Sequence, residues 1–177
     1  MSAGPIVWVD VETDGLNAAD GNLLEVACII TDADADEILF EYESLVAYDQ
    51  ITIESICELS HPRVQEMHTE NGIWEAILAG EGKPLATISA ELCAIIREYA
   101  CGVIDGESYR PPLAGSNVAN FDRLWIRQHL PAVEKCLHYR NIDVSTVKEI
   151  CARRYCKQFQ FKGDGPPAHR TMADIRH

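Results

Sequence analysis

The sequence is short of positive charge and of long apolar runs. Fifteen lysines and arginines stand against 28 aspartates and glutamates, a net charge of −13 with histidine neutral. Binding to long nucleic acid depends on basic side chains that displace counterions from phosphates, so this deficit argues against a large duplex partner. No apolar stretch approaches the roughly 20 residues that cross a bilayer, and the first residues do not have the pattern of a secretory leader. We therefore expect a cytoplasmic protein with no membrane partner.

Paired cysteine motifs are also missing. The seven cysteines are an odd number and contain no Cys-x-x-Cys spacing, which argues against a disulfide framework and favours reduced thiols. A chain of 177 residues is long enough to bury roughly 70% of its extended surface on folding. We predict a single domain over residues 1–177.

The order of the sequence patterns predicts the fold class. Three β-rich segments come first, followed by helical periodicity after residue 52, clearest after the possible N-cap Thr87. Residues 80–83 and 102–112 are expected to be surface loops. Strands followed by alternating helices and strands predict an α/β fold, a mixed sheet flanked by helices. The predicted strands are 6–9, 23–31, 38–47, 112–115 and 138–144, and the predicted later helices are 121–130, 145–155 and one that starts near Pro167.

Two carboxylates lie at the end of the first predicted strand. Side chains alternate along a strand, so Asp10 and Glu12 point to the same face. Such a pair is costly to bury unless a cation or hydrogen bonds satisfy it. The functional hypothesis is therefore a divalent metal site, and the alternative is a strand end exposed to solvent. An EF-hand loop is excluded because its twelfth position, which needs a bidentate Glu, is Gly21.

Three further polar residues complete a possible centre. Asp122 opens a predicted helix, where it could also do no more than interact with the helix dipole. His169 precedes Asp174 by five residues and is expected in a loop or first turn, with Asp174 one to two turns inside the last helix. Carboxylates that hold two divalent ions, with a His that accepts a proton from the attacking water, are what two-metal phosphodiester hydrolysis requires.

The arrangement of these residues resembles a known family. Asp10-x-Glu12, Asp122 and His169 followed by Asp174 are similar to the DEDDh exonuclease signature. The run from His138 to Ile150, together with 8–16 and 24–27, resembles the oligoribonucleases over about residues 6 to 176. The resemblance implies a ribonuclease-H-like fold with a five-stranded mixed sheet. It also implies a homodimeric 3′–5′ exoribonuclease that splits short oligoribonucleotides, chiefly dinucleotides, into 5′-mononucleotides.

The resemblance implies a role for each matching residue. His169 would be the general base, Leu16 would wedge against the bases, and His68 would lie on the substrate side. Two Mg²⁺ or Mn²⁺ ions would be held by Asp10, Glu12, Asp122 and Asp174. A cap on the 5′ phosphate, reaching across the dimer, would consist of Tyr139, Arg140, Ser145 and Thr146.

Three departures from the family pattern keep alternatives open. The run from Gly115 to Asp122 is one residue longer than usual and ends in Asn-Phe-Asp, as in ribonuclease T and proofreading exonucleases. Arg63 stands where an aromatic residue is common, and the sequence ends three residues after Asp174, which predicts a shortened last helix. The alternatives are an exonuclease for longer single-stranded DNA or RNA ends and an inert dimerisation or metal-binding module. The charge of −13 favours the short substrate.

Overall fold

The protein, described by a computed structural model at residues 3–154 and 169–176, contains the predicted mixed sheet. Five strands lie in the order β3-β2-β1-β6-β7. The first three form an antiparallel meander, whereas β6 and β7 run parallel to β1 and to each other. Their bounds are β1 (Ile6–Thr13), β2 (Leu23–Thr31), β3 (Ile38–Leu45), β6 (Leu113–Gly115) and β7 (Asn141–Asp143).

Eight helices among the described residues surround this sheet. The amphipathic helix predicted after Thr87 starts slightly earlier, because Pro84 occupies its N-cap position, and it buries Ile88, Leu92 and Ile96. None of these helices is long and apolar enough to cross a membrane. They are α1 (Gln50–Leu59), α2 (Pro62–Glu70), α3 (Ile73–Leu78), α4 (Leu85–Tyr99), α5 (Asp122–His129), α6 (Pro131–Glu134), α7 (Val144–Arg154) and α8 (Thr171–Arg176).

Two apolar clusters hold the helices against the sheet. The larger cluster joins β1 and β2 to α4 and α5, with fully buried Trp125 among its members. The smaller one packs Leu24 of β2 against Ile53 and Trp74, which belong to α1 and α3. Strand β1 lies at the centre of the sheet, between β2 and β6, and it contacts the helices α5 and α8.

The segment predicted as a loop over residues 102–112 contains a short hairpin, β4 (Gly102–Ile104) and β5 (Glu107–Tyr109). Its turn residues, Asp105 and Gly106, have φ values of 52° and 84°. Asp-Gly is the residue pair that adopts positive φ in tight hairpin turns. The loop prediction was wrong here because the strands are only three residues long and mostly exposed, which leaves no apolar pattern in the sequence.

The last helix begins later than the prolines predict. Pro167 lies outside the described residues, and α8 begins at Thr171. His169 has a φ of 51°, a left-handed conformation that cannot continue a right-handed helix. Asp174 therefore lies in the first turn of α8 rather than deeper in a helix.

Candidate active site

Three carboxylates meet at the C-terminal end of β1. Asp10 and Glu12 project from the same face of the strand, as their spacing predicts. Asp122 is the first residue of α5, and its Oδ1 accepts a hydrogen bond from the Val11 N–H at 3.1 Å. Since Val11 separates the two acidic residues of β1, this bond fixes Asp122 beside them. Glu12 and Asp122 are both buried.

A close approach of β6 to β1 places the start of α5. A Cβ atom on Gly115 would lie only 2.9 Å from the Val9 carbonyl oxygen, so a larger residue would push the strands apart. The chain then turns through Asn117, whose φ is 58°, a conformation that Asn tolerates better than most residues. Trp125 anchors the following helix in the core, which leaves Asp122 facing β1.

The C-terminal segment brings a histidine and a fourth carboxylate to the same place. One carboxylate oxygen of Glu12, one ring nitrogen of His169 and one carboxylate oxygen of Asp174 lie within 4.8 Å of one another. Helix α8 packs on β1 and β2, which explains how residues far apart in sequence meet here. All five residues that the sequence predicted for a metal-dependent centre therefore lie at one end of β1.

The electrostatics of this cluster are those of crowded, buried acids. Burial raises the pKa of Asp10 to about 9, and repulsion from Asp122, Glu12 and Asp174 adds to the effect. Burial raises the pKa of Glu12 to about 8, with repulsion from Asp174 the next largest cause. Burial also raises the pKa of Asp122 to about 7. A divalent cation would relieve this repulsion, and a cluster of hard carboxylate oxygens suits Mg²⁺ or Mn²⁺.

His68, predicted to contact substrate, lies buried beneath the carboxylates. Its Nε2 donates to the Thr13 carbonyl oxygen at 3.0 Å, and its Nδ1 accepts from the Asn71 side-chain amide at 3.2 Å. The ring packs edge-on against Trp74 with centroids 5.2 Å apart. Burial lowers the pKa of His68, so the ring is neutral at pH 7. Both ring nitrogens are thus engaged within the protein.

An open cavity lies next to the loop that follows β1. It has a volume of 690 Å³ and lies between the loop that follows β1 and helix α1. Leu16, the predicted base wedge, projects from its rim with 89% of its surface exposed. Ile51 and Leu59 of α1 are also highly exposed and line the same cavity. Exposed apolar side chains around one cavity favour contact with flat, apolar groups such as nucleobases.

The four predicted cap residues lie near one another at the start of β7 and α7. Arg140 Nε donates to the Tyr139 hydroxyl at 3.3 Å, and the guanidinium lies over the tyrosine ring. The Thr146 N–H donates to Asp143 Oδ1 at 3.2 Å, which fixes the first turn of α7. Ser145 Oγ lies 2.9 Å from Ser116 Oγ in the loop that leads to Asp122. Among the cap residues, Ser145 is thus linked to the loop that leads to the acidic centre.

Sequence reasoning missed four residues around the site. Of these four residues, Glu25 has the clearest signal in the sequence, because it is a charged residue within a predicted strand. All nine residues of that strand, β2, are buried. Ser116 could be suspected only from its place directly after β6. The contacts of Asn71 and Arg170 depend on how α2 and α8 pack, which no local pattern encodes.

Comparisons with known proteins agree with this geometry. A family model described as Exonuclease (RNase_T) matches residues 7–177. The oligoribonuclease of Mycobacterium ulcerans is 32% identical over 170 residues, covering 96% of this chain and 74% of the relative. The oligoribonuclease of Streptomyces avermitilis is 32% identical over 171 residues, covering 97% of this chain and 80% of the relative.

Solved structures support the fold independently of sequence. The zinc-bound complex of Escherichia coli exonuclease I with single-stranded DNA superposes with a TM-score of 0.70 at 16% identity, covering 99% of this chain. A complex of the same enzyme with a dT13 oligonucleotide gives 0.67 at 17% identity, covering 98% of this chain. This chain spans only about two fifths of the exonuclease I chains, 38% and 39%. The fold is therefore the ribonuclease-H-like fold of exonucleases, and the chain belongs to the oligoribonuclease family.

Proposed function

We propose that this protein is a 3′–5′ exoribonuclease that hydrolyses short oligoribonucleotides, chiefly dinucleotides, to 5′-mononucleotides. Its family membership and its exonuclease domain support the activity. The observation that carries the proposal is the convergence of Glu12, His169 and Asp174 within 4.8 Å, beside buried Asp122. The six described cysteines are free thiols, which supports a reducing, cytoplasmic setting.

Two divalent cations, Mg²⁺ or Mn²⁺, are the cofactors that this carboxylate cluster fits. The proposed ligands share a position at the end of β1 and an acidic side chain. Burial raises the pKa values of Asp10, Glu12 and Asp122, and repulsion between acids adds to the effect at Asp10 and Glu12. Bound cations would stabilise the ionised carboxylates against both effects. The chemistry supplied by bound cations is polarisation of the scissile phosphate and activation of the attacking water. The ligands are Asp10, Glu12, Asp122 and Asp174.

His169 is the proposed general base. It lies outside α8, is exposed, and has a ring nitrogen within 4.8 Å of carboxylate oxygens of Glu12 and Asp174. From this position the imidazole accepts a proton from water as the water oxygen attacks phosphorus. The bond from phosphorus to the 3′ oxygen then breaks, the 3′ oxygen takes up a proton from solvent, and the phosphate stays on the 5′ oxygen of the released mononucleotide.

The proposed substrate site explains a preference for short chains. Leu16 and the adjoining cavity would hold the bases, while Arg140 with the nearby hydroxyls would bind a terminal 5′ phosphate. A phosphate held at this second point would limit the number of nucleotides that fit between the cap and the acidic centre. His68 contributes by supporting the site from below, because its ring bonds Thr13 and Asn71.

The cap is proposed to be completed by a second copy of the chain. Helix α7 has no buried residue, and Tyr139, Val147 and Ile150 are exposed by 70%, 52% and 52%. Val147 and Ile150 lie three residues apart on α7, and exposed apolar side chains on one helix face are typical of a surface that another subunit covers. A homodimer would bury this surface and bring cap residues of each protomer toward the substrate of the other.

A length series tests the proposed function. The substrates are 5′-labelled oligoribonucleotides and oligodeoxyribonucleotides of two to ten nucleotides, digested with Mg²⁺ or Mn²⁺. We expect dinucleotides of RNA to be cleaved fastest, and the folded Asp10→Asn variant to be inactive. Faster cleavage of the ten-nucleotide substrates would instead favour a ribonuclease T-like enzyme for longer ends, the reading suggested by Asn120-Phe121-Asp122. Equal, negligible turnover by both proteins would refute the exonuclease proposal.

A further inference from the structure

Glu25 is an unusual residue for the centre of a sheet. It belongs to β2, its side chain is 0% exposed, and it pairs in register with Glu12 of β1. Residues directly opposite in an antiparallel pair have neighbouring side chains on the same face. A second buried carboxylate therefore lies beside a proposed metal ligand, and it requires strong compensation.

The compensation comes from the segment that carries His169 and Asp174. Arg170 Nε lies 3.2 Å from both carboxylate oxygens of Glu25, and its Nη2 donates to Oε1 at 2.7 Å. The N–H and the hydroxyl of Thr171 both donate to Oε2 at 3.1 Å. Glu25 thus accepts hydrogen bonds from the two residues that immediately follow His169, and it also satisfies the first N–H of α8.

A second set of bonds fixes the other side of the same segment. Arg170 Nη1 donates to the Asn71 carbonyl oxygen at 3.3 Å. The Asn71 side-chain amide donates to the carbonyl oxygen of His169 and lies 3.2 Å from His68 Nδ1. His169 holds a left-handed φ of 51°, a conformation that persists in a non-glycine residue only where its surroundings impose it. These contacts supply that constraint.

We propose that Glu25 and Arg170 form a positioning pair that sets both His169 and Asp174 against Glu12. Neither residue of the pair touches the reacting atoms. The two-pronged bond of Arg170 fixes the backbone between His169 and α8, so the imidazole and the Asp174 carboxylate approach Glu12 from one rigid segment. The positive charge of Arg170 also keeps the Glu25 carboxylate engaged, so that it does not act as a competing ligand beside Glu12.

Arg176, at the end of α8, provides a matched control for Arg170, which lies just before that helix. Arg176 makes a similar two-pronged bond with Glu41 of β3, at 2.7 and 2.6 Å, but both side chains are partly exposed and lie away from the acidic centre. Arg170→Lys and Arg176→Lys keep every charge and lose only the fork geometry of the guanidinium. A difference between the two variants therefore reports position rather than net charge or the presence of an ion pair.

The experiment measures Mn²⁺ affinity by titration calorimetry and, separately, kcat and KM on a 5′-phosphorylated RNA dinucleotide. Replacement of groups that orient metal ligands costs about 10- to 100-fold in affinity or activity. We expect that loss in Mn²⁺ affinity and in kcat for Arg170→Lys, with KM changed by less than about threefold because substrate contacts remain. Arg176→Lys should match the native protein. Equal Mn²⁺ affinities and kcat values for the two variants would overturn the proposal.

The inference rests on the proposed metal-dependent function, and the two can fail separately. An inactive native protein whose Mn²⁺ affinity still falls in Arg170→Lys would refute the function and support the positioning pair. An active native protein with two indistinguishable variants would do the reverse. A double-mutant cycle compares Glu25→Gln, Arg170→Gln and the variant with both changes. If the two residues act as one unit, the double variant loses no more Mn²⁺ affinity than the more damaging single variant. Additive losses would contradict the pair, and unfolding midpoints identify any variant that fails to fold.

Discussion

The acidic centre and the cap region are built in different ways. The acidic centre lies at the end of a central strand, with Asp122 bonded to the backbone of β1. Asn71, which follows α2, donates to the His169 carbonyl oxygen, and Glu25 of β2 accepts from the N–H of Thr171, two residues later.

In the cap region, Ser145 and Thr146 lie on α7, which buries none of its residues, whereas Tyr139 and Arg140 lie just before β7. The contacts of the first region all come from one chain, whereas the second presents exposed apolar and polar groups. Under the proposed dimer, chemistry would be specified within one protomer, and substrate length would depend on what covers α7.

The largest effect is expected from Asp122→Asn. The amide keeps an oxygen that can accept from the Val11 N–H but removes a charged ligand, so the fold should survive while Mn²⁺ binding in calorimetry is lost. We expect activity to fall by about 10⁴-fold or more, since metal activation of water is removed. Asp32→Asn is the control, because Asp32 accepts from backbone N–H groups in the exposed β2–β3 turn. Unchanged Mn²⁺ binding in Asp122→Asn would remove this residue from the metal site.

His169→Ala tests whether the histidine acts as a base or as a ligand. Loss of a general base costs roughly 10²- to 10⁴-fold in rate, and we expect this loss with nearly unchanged Mn²⁺ affinity. The measurements are single-turnover rates on a dinucleotide and calorimetric titration with Mn²⁺. A variant that binds Mn²⁺ poorly would instead identify His169 as a ligand, a role that its distance to Glu12 and Asp174 also permits.

Arg140→Ala should affect the cap region alone. We expect kcat/KM on a 5′-phosphorylated dinucleotide to fall by about 10- to 100-fold, the range for a lost charged hydrogen bond, with little change on the unphosphorylated dinucleotide. Arg127→Ala is the control, since Arg127 is an exposed arginine paired with Glu134. Equal losses on both substrates would exclude Arg140 from phosphate binding.

A mixing experiment extends this prediction to the dimer. The Asp122→Asn protein has an impaired acidic centre and an intact cap, whereas the Arg140→Ala protein has an intact acidic centre and an impaired cap. If the cap acts across the interface, mixed dimers contain one site with both an intact acidic centre and an intact partner cap, so activity on the 5′-phosphorylated substrate should rise above that of either variant. Activity that simply averages the two would place both regions within a single protomer.

The smallest effect concerns stability rather than rate. The pKa values of Asp10, Glu12 and Asp122 are raised above those of the unfolded chain, so the folded protein binds more protons between about pH 4 and pH 9. The contribution of these groups to the free energy of unfolding of chelator-treated protein should therefore be highest at about pH 4 and fall as the pH rises to 9. A fall of a few kcal/mol lowers Tm by about 5–10 °C. Added Mn²⁺ should abolish most of the slope, and Asp10→Asn should flatten it; a chelator-treated protein with a Tm independent of pH would contradict the repulsion described here.

Much of the acidic centre could be predicted from sequence because its signals are local. Asp10 and Glu12 share a strand face by alternation, and Asp122 opens a helix after a buried strand. The order of strands and helices was enough to predict the mixed sheet. The hairpin β4–β5 was missed because three-residue exposed strands carry no apolar periodicity, and the start of α8 was misplaced because prolines indicate a possible helix start, not the conformation at His169.

What the sequence determined is the set of carboxylates, the alternation that pairs two of them and the fold that carries them. What only the tertiary structure decided is how the His169 segment is held. That depends on the register that sets Glu12 opposite Glu25, and on the packing of α8 that brings Arg170 to the second of these acids. The physical reason is range: strand alternation acts between neighbours two residues apart, whereas a buried carboxylate is satisfied by a donor 145 residues away that only the complete fold brings into contact.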